Sequence, residues 1–99
     1  MLYAIIGEDV ENSLEKRQAV RLEHLARLTA LQNEGRLILA GPFPLLDNEE
    51  LSNGVSGSLI VAEFPTLEDA QNWANVDPYS ISGVFKNTIV KPFKQVFPQ

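Results

Sequence analysis

His24 is the only histidine in 99 residues. It is also the only side chain here whose ordinary pKa lies near neutral, as a general acid or base requires. Arg17 and Arg21 precede it at spacings of four and three residues, which would put all three groups on one stripe of consecutive helical turns. Such a stripe can face a ligand-binding cleft. The structural alternative is that the arginines lay their stems along apolar surface and pair with acidic neighbours such as Glu8 or Asp9, with the histidine a satisfied core residue. Asp77 stands before Pro78, where it ends a helix, yet a carboxylate at a helix C-terminus opposes the dipole and calls for a partner. A histidine paired with it would have its tautomer fixed and its other nitrogen left for substrate.

Composition narrows the chemistry further. The absence of cysteine removes disulfide frameworks, thiolate metal sites and a cysteine nucleophile. One imidazole and no thiolate fall short of a transition-metal ligand set within one chain, so no metal is expected. Gly35, Gly41, Gly54, Gly57 and Gly83 form no phosphate-binding pattern, and the serines lack the setting of a nucleophile elbow, so no cofactor is expected either. Eight basic against 13 acidic residues give a net charge of −5, which repels phosphate backbones and anionic lipid and argues against nucleic-acid partners. The opening Met1 to Gly7 has no basic region and is far shorter than the roughly 20 apolar residues of a membrane span. A cytoplasmic protein with no membrane association is the expectation.

The elements that must position these groups follow from periodicity and punctuation. With 44% apolar residues, the chain is sized for one domain over residues 1–99. Leu2–Gly7 reads as a buried strand. Asn12, three residues before Glu15, resembles a capping box and opens a helix from Ser13 to Glu34, which Gly35 stops. Leu37–Ala40 reads as a short strand ended by Gly41-Pro42, and Phe43–Gly57 as the longest loop. Ser58–Phe64 is a third strand; Thr66 caps a second helix from Leu67 to about Val76; Val84–Val96 is a final strand in which Pro92 marks an edge or bulge. Strand, helix, strand, strand, helix, strand is the α+β ferredoxin-like βαββαβ arrangement, an antiparallel sheet with two helices on one face. Leu59, Val61, Ile89 and Phe93 leave the other face apolar, and a second copy of the sheet is its simplest cover.

On a wheel centred on Leu25, the apolar residues Leu14, Val20, Leu22, Leu25, Leu28 and Leu31 span about −140° to +60°, with Lys16, Glu23, Arg27 and Glu34 opposite. Arg17, Arg21 and His24 fall at about −80°, −40° and −100°, inside the arc to be buried. Each therefore needs a carboxylate, a bound anion or an opening to solvent. Trp73 reads as core.

The stretch Ser13-Leu14-Glu15-Lys16-Arg17 through Arg21-Leu22-Glu23-His24-Leu25-Ala26-Arg27-Leu28, followed by Glu34-Gly35-Arg36-Leu37 and Ala40-Gly41-Pro42, resembles the YCII-related (YciI-like) family. The likeness continues through Trp73-Ala74, Asp77-Pro78-Tyr79 and Val90-Lys91-Pro92-Phe93-Lys94, essentially the full length. It implies a ferredoxin-like subunit that dimerises sheet to sheet as an α+β barrel. The dyad proposed for the family falls on His24 and Asp77. One related member dehydrochlorinates a hydroxylated aromatic, so the resemblance implies acid/base chemistry of lyase or isomerase type. In that reading His24, oriented by Asp77, moves a proton on a small anionic or phenolic molecule, Arg17, Arg21 or both stabilise the charge that develops, and Tyr79 with the Gly41-Pro42 turn shapes the pocket. The rival readings are a non-catalytic ligand-binding or sensing module and a regulatory dimer acting through a protein partner.

Overall fold

Side-chain alternation in the first strand sets the two faces of the sheet. In the computed structural model, which describes residues 1–99, β1 (Leu2–Asp9) buries Tyr3, Ile5, Gly7 and Asp9 on one side, with Leu2, Ala4, Ile6 and Glu8 on the other. It lies between β3 (Val55–Glu63) and β4 (Phe85–Phe93), and β2 (Leu37–Pro44) completes a sheet of order β2-β3-β1-β4 in which every neighbouring pair is antiparallel. Opposite Tyr3 and Ile5 stand Ala62 and Ile60, and onto these four pack Leu31 of α1 (Leu14–Asn33) and Ala70 and Ala74 of α2 (Leu67–Asn75). Both long helices thus cover one face, as the order of elements requires. No helix is long and apolar enough to cross a membrane.

Several boundaries differ from the sequence reading, each for a physical reason. β2 does not stop at Gly41-Pro42; it runs on to Pro44, with Pro42 opposite Ser58. It is an edge strand, where a missing proline N–H need not break a ladder. With β3 beginning at Val55, the intervening loop shrinks to residues 45–54. β4 ends at Phe93 rather than Val96, because Phe93 pairs with Leu2 and β1 offers nothing beyond it. Asn12 is not the cap of α1: its φ of 56° is left-handed, and Ser13 takes the N-cap position without a side-chain cap bond. The other end follows the sequence. Gly35 at φ 72° allows Arg36 N–H to reach the Leu31 carbonyl (2.9 Å) and its own N–H the Gln32 carbonyl (3.0 Å), a Schellman closure. Residues after Asp77, assigned no element from sequence, form a one-turn helix α3 (Pro78–Ile81), with proline at its first position.

The buried residues of α1 are Arg17, His24 and Leu31, seven apart and therefore one line along the helix. That line lies near −100° on the wheel, about 60° round from the middle of the leucine arc. Leu22, placed in the buried arc by the sequence, is consequently 78% exposed. On the uncovered face of the sheet, Leu39, Phe43, Ile89 and Phe93 are each 40–48% exposed.

Candidate active site

Two buried basic groups on one helix face require two acids, and the fold brings one from each end of the domain. Asp9 closes β1. It accepts from Arg17 Nε (2.7 Å) and Nη2 (2.9 Å) and from Ser13 Oγ (2.5 Å), and Arg17 Nη2 also donates to Ser58 Oγ (2.9 Å). The guanidinium lies over the rings of Tyr79 (4.7 Å) and Phe85 (5.8 Å). Gly7 makes this possible: the Phe85 ring occupies the space its Cβ would fill, at 2.5 Å.

Asp77 arrives from the junction of α2 and α3. It caps the N-terminus of α3 by accepting from Tyr79 N–H (3.0 Å), so the helix dipole it meets is favourable; the sequence reading had it opposing the end of the preceding helix. The same oxygen, Oδ2, lies 2.8 Å from His24 Nδ1, while Oδ1 accepts from Arg27 Nη1 at 2.9 Å. Burial pushes the Asp77 carboxyl up, but the His24 hydrogen bond and charge, the Tyr79 N–H and the Arg27 charge together hold it below the usual carboxylate value. An ionised Asp77 can only accept, so in a neutral imidazole the proton sits on Nδ1 and Nε2 is the basic nitrogen.

Tyr79 follows Asp77 by two residues and stacks on the imidazole, ring centroids 3.9 Å apart and 16° from parallel. Burial pushes its phenol up, against the pull of the Arg17 and Arg21 charges, so it is neutral at pH 7. Imidazole, phenol and guanidinium form one stack, with the Phe85 ring edge-on to Tyr79 at 5.7 Å.

A cavity of about 570 Å³ opens beside this stack. Arg17, His24 and Tyr79 line it together with Arg21, Gly41 and Pro42, so the cavity gathers every sequence-predicted residue except Asp77, which stands behind the imidazole. Leu25, Leu28 and Ile60 give it an apolar wall, and Leu51 and Ser52 reach it from the β2–β3 loop. The two arginines differ. Arg17 is buried and paired with Asp9, as the structural alternative held, whereas Arg21 is exposed and in no ion pair. Gly41 and Pro42 contribute as strand residues, not as a turn. No three His, Asp or Glu side chains gather to hold a metal ion.

Arg27 escaped the sequence reading, which set it on the solvent side. Its signal was the three-residue spacing from His24, visible once the buried line is centred on His24 instead of on the leucines. Phe85 and Ser58, brought in by register from distant strands, carried no sequence signal.

Residues 1–94 match the family model described as the YCII-related domain. Protein YciI of Escherichia coli O6:H1 is 53% identical over 98 residues, covering 98% of this chain and all of that one. A relative from Haemophilus influenzae is 52% identical over the same length. Among solved structures, the 5-chloro-2-hydroxyhydroquinone dehydrochlorinase TftG of Burkholderia phenoliruptrix, in complex with 2,5-dihydroxybenzoquinone, superposes with a TM-score of 0.83 at 26% identity, over 95% of this chain and 94% of that one.

Proposed function

The chain belongs to the YCII-related family, and from that premise we propose that it is a small-molecule acid/base enzyme of lyase or isomerase type in which His24 is the base. The observation that carries this reading is the 2.8 Å contact of His24 with buried Asp77 at the wall of a mostly apolar cavity. Nε2 takes a proton from an acidic C–H or O–H of the substrate, and the bonding pair stays on the substrate as enolate or phenolate charge. Arg21, the cation with no carboxylate of its own, stabilises that charge. Return of the proton at another atom completes an isomerisation; departure of a leaving group with the electron pair completes an elimination. The stack on Tyr79 and the leucine wall suit a flat ring bearing hydroxyl or oxo groups, the kind of molecule held by the dehydrochlorinase neighbour.

The test is a panel of chlorinated and unchlorinated hydroxyquinols with 2,5-dihydroxybenzoquinone as binding probe. His24→Ala is expected to lower turnover about 10²- to 10⁴-fold, and Arg21→Gln to weaken probe binding about tenfold. Turnover that survives His24→Ala overturns the assignment. A probe that raises the melting temperature of wild type and His24→Ala equally, with no compound converted, favours the binding-module reading instead.

The reading extends to assembly: a second copy covers Leu39, Phe43, Ile89 and Phe93. Light scattering is expected to give about twice the chain mass of 11.0 kDa. A monomer at micromolar concentration refutes it.

A further inference from the structure

We propose that Arg27 is a positioning residue whose positive charge, shared through Asp77, keeps His24 a neutral base with its proton on Nδ1. The proposal rests on reading His24 as the base and concerns how that state is maintained. Asp77 has two oxygens and three donors. Oδ2 serves the imidazole and the Tyr79 N–H, and Oδ1 is given wholly to Arg27. The guanidinium is held on its other side by the Trp73 face, 4.1 Å from the ring centroid, and Trp73 is itself packed against Phe64. Arg27 is therefore fixed at the far end of the carboxylate, not swinging in solvent.

A buried carboxylate facing a lone histidine would draw a second proton onto the ring and leave an imidazolium, which cannot act as a base. One negative charge cannot neutralise both a buried imidazolium and the partly buried Arg27 guanidinium, so Arg27 raises the cost of that second proton. The groups around the imidazole reinforce this. From α1 come Arg17, Arg21 and Arg27; from the start of α3 come Asp77 and neutral Tyr79; from β1 comes Asp9, which Arg17 already occupies. Three arginines face two carboxylates before the histidine gains any charge. Of the three, only Arg27 touches the carboxylate that His24 uses.

The single histidine makes the test direct, because every imidazole signal in a ¹⁵N-edited NMR spectrum belongs to His24. Wild type, Arg27→Gln and Arg27→Lys are titrated without ligand, with far-ultraviolet circular dichroism reporting that each remains folded. Gln preserves a donor for Oδ1 and removes the charge; Lys preserves the charge. The expected results are a proton on Nδ1 in neutral wild type, protonation of the ring about one pH unit higher in Arg27→Gln, and a return most of the way to wild type in Arg27→Lys. Coincident titrations of wild type and Arg27→Gln overturn the proposal, as does a lysine variant shifted as far as the glutamine one, or a wild-type proton on Nε2. Should Arg27→Gln unfold, Arg27→Met, which retains the stem against Trp73, gives the same comparison. None of these readings involves turnover. An Arg27 effect in a chain that converts no compound would retire the enzyme reading and leave this one standing; turnover with no Arg27 effect would do the reverse.

Discussion

Asp9 and Asp77 are both buried carboxylates that meet an arginine of α1, and they differ in what else they hold. Around Asp9 every partner is a fixed donor: Ser13 Oγ and the Nε and Nη2 of Arg17, whose Nη2 is shared with the Ser58 hydroxyl oxygen. Around Asp77 one of the donors is an imidazole, with a second nitrogen that Asp77 does not touch. The first cluster can only hold β1, β3 and the start of α1 together, whereas the second can gain and lose a proton. The same pair of residue types thus yields a clamp in one place and, in the function proposed above, a base in another, and the third partner decides which.

The comparison is broken most forcefully at the clamp. Arg17→Leu leaves the Asp9 charge buried without its counter-ion and is expected to cost about 3–5 kcal/mol in urea unfolding. A loss below about 1 kcal/mol would show that water reaches Asp9 and that the cluster is no clamp. At the other centre, Asp77→Asn retains an acceptor for the Tyr79 N–H and removes the charge, for a smaller loss of about 1–3 kcal/mol. That loss carries a pH signature. The folded Asp77 carboxyl lies below its unfolded value of 3.8, so its stabilisation is complete above that value and disappears as pH falls through the folded one. The part of the stability gap between wild type and Asp77→Asn that this charge supplies is therefore expected to close below about pH 4. A gap that persists undiminished at pH 2 would mean that the substitution acts through packing and not through charge.

Much of this was legible in the order of residues. The ferredoxin-like order of elements, the Gly35 stop and the Thr66 cap, whose hydroxyl accepts from Asp69 N–H at 3.0 Å, each rest on a local signal and each stands in the fold. His24 was legible by its type alone. The orientation of its helix was not. Hydropathy centred the wheel on leucines, while two of the three most buried positions are Arg17 and His24, whose burial depends on acids more than seven residues away. Arg27 and Leu22 were misplaced by that same rotation. Asp77 was visible as a helix breaker, but its role as the cap of α3 needed the backbone turn after Pro78, which four residues are too few to announce.

The two edges of the sheet carry a consequence for how this molecule behaves in a crowded solution. β2 presents Pro42 and Pro44, and β4 presents Pro92 among Lys86 and Lys91. A strand arriving from another chain would find amide donors missing on both flanks and like charges along one of them. Lateral growth of the sheet, the route to fibrils, is obstructed at either side. The second copy proposed above would approach the broad apolar face instead, where neither edge stands in its way.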